Sequence, residues 1–139
     1  MRSIRVAVVG AGPAGIYAAD ILTKEHAEVS VDLIERLPAP YGLVRYGVAP
    51  DHPRIKEIVK ALRRVLSRDG IRFLGNVEYG TDIKLTDLQR SYDAVIFSTG
   101  AIRDASLNVP GIDLPGSYGA ADFVSWYDGH PDFPREWPL

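Results

Sequence analysis

The spacing of apolar positions changes repeatedly along the chain, and each change predicts an element. Ile4-Arg5-Val6-Ala7-Val8-Val9 is a short β-branched run closed by Gly10, as expected of a buried parallel strand. From Pro13 to Lys24 the spacing becomes helical, with Ile16, Ala19 and the Ile21–Leu22 pair on the apolar face. Val29 to Glu35 alternates and then turns apolar, predicting a second strand. Together these make one βαβ unit. Arg36 to Pro53 breaks the pattern with Pro38, Pro40, Gly42, Gly47, Pro50 and Pro53. A loop of that length inside a compact domain is often functional. Arg54 to Arg68 predicts an amphipathic helix, with Ile55, Ile58, Val59, Leu62, Val65 and Leu66 on one side, Asp51 to cap its start and Gly70 just past its end. Ile71 to Leu74 and Asn76 to Tyr79 read as short strands, and Thr86 to Arg90 as a helical turn. Asp93 to Ser98 is a further buried strand, ending at Thr99-Gly100-Ala101. Ile102 to Gly119 is loop-like, with turns at Pro110-Gly111 and Pro115-Gly116. Ala120 to Tyr127 predicts a short helix, and Asp128 to Leu139 has no period.

Composition narrows the class without naming a function. The chain has 139 residues, 46% hydrophobic and 24% charged, which suits a soluble globular domain. A formal net charge of −2 gives no reason to expect nucleic acid or a membrane surface as partner. The absence of cysteine excludes a disulfide framework, a thiolate metal site and a redox-active dithiol inside these residues, and it suits a reducing compartment. No metal site is expected. Met1 to Arg5 leads straight into a strand, unlike a signal peptide, and every apolar run falls well short of the ~20 residues that span a bilayer. The expected setting is cytoplasmic.

The chemistry starts in the first turn. Gly10-Ala11-Gly12-Pro13-Ala14-Gly15 matches G-x-G-x-x-G. In that motif the first glycine permits a tight turn, the second lets backbone approach a pyrophosphate, and the third lets helix pack on strand. The helix N-terminus then offers N–H groups and a positive dipole end to phosphate. The bare motif also fits an ordinary glycine turn, so context matters. Here it follows a strand, opens a helix, and is followed about 20 residues later by Glu35 at the end of the next strand, where a carboxylate accepts hydrogen bonds from ribose hydroxyls. Glu35 would repel a 2′-phosphate, which leaves FAD and NAD. Pro13-Ala14 resembles the G-x-G-P-A-G form common in flavoproteins. Ser98-Thr99-Gly100-Ala101 resembles the second signature of flavoproteins that bind two dinucleotides, although alone it is only a strand ending in a glycine turn.

The run from Leu37 to Pro53, Leu-Pro-Ala-Pro-Tyr-Gly-Leu-Val-Arg-Tyr-Gly-Val-Ala-Pro-Asp-His-Pro, closely resembles the ferredoxin–NADP reductases of the adrenodoxin-reductase type, including the actinobacterial enzymes. Phe73 to Val77, Tyr92 to Ile96, Val109-Pro110-Gly111, Leu114 to Ser117 and Asp122 to Tyr127 also look like that family, so the resemblance covers essentially the whole chain. It implies an α/β, Rossmann-like FAD/NAD(P)-binding domain with a parallel sheet, incomplete in this chain. It also implies an oxidoreductase that passes electrons from NADPH through FAD to a ferredoxin, an acidic iron–sulfur protein. On the same grounds Ala14 belongs to the pyrophosphate turn, Glu35 to the ribose and Leu43 to the flavin surroundings. The backbone at Tyr79 belongs to the adenine. His52 matches a histidine thought to assist hydride and proton steps. Arg103 lies near a position that approaches the NADP phosphates, but is offset from it. Arg36 beside Glu35, Gly42 beside Leu43, and Thr99 with Gly100 complete the candidate cofactor contacts.

Plainer readings stand beside these. His52, between Asp51 and Pro53, also suits a structural role at a helix start. Arg54, Lys56, Lys60, Arg63, Arg64 and Arg68, set against Glu57 alone, make either a docking face for an acidic partner or a solvated helix face. Family enzymes are about three times longer and carry a separate NADPH-binding unit. The expectation is therefore that residues 1–103 form the N-terminal part of the FAD-binding domain and that 104–139 form a linker and the start of the NADPH domain. Such a piece alone should bind FAD weakly and have no reductase activity. The alternatives are a flavin oxidoreductase of the glutamate-synthase small-subunit type and a non-catalytic FAD- or NAD-binding module. Disulfide reductases place a cysteine pair after the ribose acid, and Pro40 to Pro53 has none.

Overall fold

The first strand, β1 (Ile4–Val9), runs into the glycine turn and helix α1 (Pro13–Glu25), which returns to β2 (Val29–Glu35). The computed structural model describes residues 3–101 and 103–136; Met1, Arg2, Ile102 and the end of the expected tail from Trp137 to Leu139 lie outside them. After β2 come the single-turn helix α2 (Leu43–Tyr46), α3 (Pro53–Lys56), α4 (Ile58–Leu66), β3 (Ile71–Gly75), α5 (Leu85–Ser91), β4 (Ala94–Phe97) and α6 (Ala120–Tyr127). The four strands form one sheet in the order β3-β2-β1-β4, and every pairing is parallel. Val6 stands opposite Val31 on one side and Ala94 on the other.

The sheet is covered on both faces, which explains why its strands read as near-continuous apolar runs. Val6, Val8, Val31 and Leu33 pack with Ile16 and Ala19 of α1 and Leu62 and Val65 of α4. Ala7, Val9 and Ile34 point the other way and pack with Leu88 of α5. Each fully buried leucine or isoleucine here contributes about 1.5–3 kcal/mol relative to exposure.

Two carboxylates are buried among these layers. Asp20 on α1 binds Lys24 (2.5 Å) and Arg68 (2.6 Å), tying α1 to the end of α4. Asp32 on β2 receives Arg72 at 2.9 and 2.7 Å and the Tyr92 hydroxyl at 2.7 Å, with Arg5 at 3.5 Å. Burial disfavours the charge on Asp32, but the hydrogen bonds from Arg72 and Tyr92 and the charges of Arg72 and Arg5 outweigh it and hold the carboxyl below its ordinary range. For Tyr92, burial and then the bond to Asp32 push the phenol upward.

Three local expectations are corrected. The helix expected over Arg54–Arg68 is two pieces joined at Glu57, and Ile55 is exposed rather than part of the apolar stripe. Long-range contacts explain the break: Lys56 of α3 is drawn to the Arg45 carbonyl (3.5 Å) and to Asp128 (3.7 Å), while α4 must lay Leu62 and Val65 on the core. Asp51 does not cap α3; His52 occupies the N-cap, no side chain caps it, and the Asp51 carboxylate instead meets His52 Nδ1 at 2.8 Å. Asn76 to Tyr79 is not a strand. Asn76 takes a left-handed φ of 57°, the Val77 N–H donates to the Glu35 carbonyl (3.0 Å), and Tyr79 keeps only an isolated bridge to Ile83.

Candidate functional site

Open parallel sheets leave a crevice beyond the carboxyl ends of their strands, and the glycine turn lies there. The three motif glycines have three different surroundings. Gly10 has φ +106°, and a Cβ on it would meet the Ser98 carbonyl oxygen at 2.4 Å. A Cβ on Gly15 would stand 2.1 Å from the Gly10 carbonyl oxygen and 3.1 Å from Val8 Cγ1, so α1 packs directly against the end of β1. At Gly12 the nearest heavy atom to a Cβ would be Gly42 Cα, 4.0 Å away. The space above Gly12 is left open. The same residue is the N-cap of α1, and no side chain bonds to the helix end there.

Glu35 is held by the turn it faces. Its Oε2 accepts the Ala11 N–H at 2.9 Å and its Oε1 accepts the Leu37 N–H at 3.1 Å. One lone pair on each oxygen is used in this way, which fixes the carboxylate and leaves capacity for outside donors. The Tyr41 N–H donates to the Ala11 carbonyl (2.9 Å), anchoring the Pro- and Gly-rich loop onto the turn. Tyr41 does so with φ 91°, rare for a residue with a side chain. Ser98 donates its hydroxyl to the Gly10 carbonyl (3.0 Å), joining the end of β4 to the same turn.

These elements enclose a cleft of about 300 Å³. Gly10, Gly12, Pro13, Ala14, Glu35 and Arg36 line one part of it, and Gly42, Leu43, Tyr79, Thr99 and Gly100 line the rest. Gly15 lies buried beneath the turn. His52 and Arg103 are not among the lining residues. His52 is exposed beside Asp51, and Arg103 borders a separate depression with Asp104 and Tyr118. Tyr46, Ser98 and His130 also line the cleft. Sequence reasoning did not select them as candidates. Ser98 stood inside a quoted signature, Tyr46 sits in a one-turn helix too short to show a period, and His130 lies in the aperiodic tail. That tail folds back on the cleft: Arg36 pairs with Asp132, and Tyr46 lies 5.0 Å from His130, centroid to centroid. Burial lowers the His130 pKa below its ordinary 6.5; the Asp132 charge opposes the shift and the Arg36 charge adds to it.

Among the described residues, no three His, Asp or Glu side chains converge as a metal site, and no helix is long and apolar enough to cross a membrane.

Residues 4–125 match the family described as pyridine nucleotide-disulphide oxidoreductase. The chain is 47% identical over 132 residues to the mitochondrial NADPH:adrenodoxin oxidoreductase of Arabidopsis thaliana, covering 95% of this chain and 27% of the plant protein. It is 48% identical over 138 residues to the NADPH-ferredoxin reductase FprA of Mycobacterium leprae, covering 96% of this chain and 30% of that protein. The atomic-resolution structure of FprA, a Mycobacterium tuberculosis oxidoreductase, matches with a TM-score of 0.90 at 47% identity, over 95% of this chain and 30% of that one. The chain thus spans about 30% of the length of these relatives.

Proposed function

The chain belongs to the pyridine nucleotide-disulphide oxidoreductase family, and from that membership we propose that it is the FAD-binding part of a reductase passing electrons from NADPH to a ferredoxin-type protein. The observation that carries the reading is the open space above Gly12 facing an anchored Glu35, beside an uncapped helix N-terminus. The residues fit the group. A pyrophosphate needs backbone approach and a positive dipole end, and a ribose diol needs a fixed carboxylate. A cleft of about 300 Å³ suits the ADP half of the dinucleotide. Glu35 would repel a 2′-phosphate, so NADPH belongs elsewhere in the protein. The lack of cysteine sets the chain apart from family members that use a dithiol.

When bound, FAD supplies the conversion of a two-electron hydride donor into one-electron delivery. The protein binds and orients. Gly12 and Ala14 would present the turn to phosphate, with Gly15 beneath them letting α1 pack close, Glu35 and Arg36 would hold the ribose, and Gly42, Leu43, Thr99 and Gly100 would border the flavin side of the cleft. The backbone at Tyr79, on the cleft wall, would hold the adenine. For His52 we propose proton handling: its Nδ1 pairs with the Asp51 carboxylate, which leaves Nε2 to exchange the proton. Arg103, an exposed cation, is our candidate for the NADP phosphates. We propose an acidic partner on the strength of Arg54, Arg63 and Arg64, exposed on α3 and α4. The division at residue 103 and a cytoplasmic setting are also proposals, the latter resting on the cysteine-free composition.

The test begins with the flavin spectrum. After incubation with FAD and desalting, the longer protein should show bound flavin absorption, and a colourless longer protein refutes the reading. Ferredoxin-dependent reduction of cytochrome c by NADPH tests the longer protein. This chain alone should give no NADPH-to-dye signal, and such a signal would contradict the expected division of labour.

A further inference from the structure

His130 reaches the cleft through the way α6 ends. Asp128 closes the helix, and Gly129 follows with φ +71°. The Gly129 N–H donates to the Trp126 carbonyl (3.1 Å) and the His130 N–H to the Ser125 carbonyl (2.8 Å). These are the paired bonds of a Schellman motif, which reverses the chain sharply and needs the left-handed residue that glycine supplies. The reversal brings His130 to the cleft wall.

There the ring is held on several sides. The Asp132 N–H donates to His130 Nδ1 at 3.1 Å, the Asp132 carboxylate is paired with Arg36, and the Tyr46 ring lies 5.0 Å away at a tilt of 58°. An Nδ1 that accepts a hydrogen bond leaves the proton of the neutral imidazole on Nε2. Burial favours that neutral form near pH 7, against the opposing charge of Asp132 and with the added effect of Arg36. The outcome is a fixed, uncharged N–H donor at a cleft that would receive an anionic dinucleotide.

We infer that His130 is a cofactor-binding residue, its Nε2–H donating to the ADP half of the bound dinucleotide, with Asp132 and Arg36 as the residues that position it. The inference rests on the FAD reading above. The ADP half is indicated by the two anchors: Arg36 adjoins Glu35, and Tyr46 belongs to the helix that follows Gly42, the residue facing Gly12. A pyrophosphate oxygen or a ribose hydroxyl is the acceptor.

The experiment is a calorimetric titration of the chain with FAD and, separately, with ADP. His130→Ala should weaken both by about tenfold, the upper end for a hydrogen bond to a ribose hydroxyl and the lower end for one to a pyrophosphate oxygen. His130→Gln, whose amide N–H extends to a similar reach, should recover most of the loss. Thermal melting of the FAD-free variants should stay close to the parent, which separates binding from folding. In isotope-labelled protein the His130 Nε2–H resonance should move on ADP addition while Nδ1 stays unprotonated. Unchanged affinity in His130→Ala, alongside a loss in Glu35→Gln, overturns the inference and leaves the cofactor reading standing. Failure of the unsubstituted chain to bind either ligand sinks both.

Discussion

Gly12 and Gly15 stand in one motif but should fail in opposite ways when given a methyl group. At Gly15 the new Cβ would lie 2.1 Å from the Gly10 carbonyl oxygen and 2.6 Å from Ser98 Oγ, where ordinary contact begins at 3.4 Å. The start of α1 must therefore retreat by roughly 1.3 Å from a strand end against which Ile16 and Ala19 are fully buried. Overpacking of this kind costs about 1–3 kcal/mol. Replacing a helical glycine returns up to about 1 kcal/mol of propensity. The net expectation for Gly15→Ala is a loss of about 1–2 kcal/mol, read as a Tm lowered by roughly 3–10 °C in a chain of this size. Gly12 has φ −74° and ψ −179°, which any residue adopts, and its Cβ would meet nothing closer than 4.0 Å. The gain from a stiffer unfolded chain, about 0.4–1 kcal/mol, is offset by the poorer N-cap that alanine makes. Gly12→Ala should thus melt within about 0.5 kcal/mol of the parent, yet its methyl group occupies the space proposed for the pyrophosphate and should weaken FAD at least tenfold. Scanning calorimetry of the FAD-free proteins and titration calorimetry with FAD read the two effects separately. Parental stability in Gly15→Ala, or parental FAD affinity in Gly12→Ala, would refute the assignment of these roles.

Two further outcomes follow from the carboxylates. Glu35→Gln leaves one of the Ala11 and Leu37 N–H groups facing an amide nitrogen that cannot accept, so it should lose about 1–3 kcal/mol of stability and at least tenfold in FAD affinity, measured by denaturant unfolding and titration. Asp32 has a folded pKa below its ordinary value, so its stabilisation is present above about pH 4 and is lost as pH falls through the lowered pKa. Asp32→Asn should flatten that acid limb in a pH series of unfolding free energies, and an unchanged acid limb would show that the Arg72–Tyr92–Asp32 network does not set it.

Legibility followed the distance between cause and effect along the chain. The β1-α1-β2 unit, the glycine turn and Glu35 could be read because each depends on neighbours a few residues away, or on one βαβ unit of fixed length. Helix α6 appeared at its expected bounds because its period is local. Asn76 to Tyr79 misled because its composition suits a strand, while the Asn76 and Val77 N–H groups donate to Leu37, just past β2, and to Glu35 at its end. Glu57 interrupted a continuous amphipathic pattern because Lys56 and Leu62 answer to different parts of the molecule.

What the sequence alone determined is the kind of recognition: a turn that only small residues can make, a helix end aimed at anions, and an acid at the next strand tip. Those properties are written in residue types at short spacing. The composition of the cleft wall was decided by tertiary structure. It places His52 on the surface beside Asp51 and brings His130 to the cleft wall, with Asp132 paired to Arg36 from 96 residues away. No local period encodes such a contact, because it depends on how α6 ends and on which surface the returning chain meets.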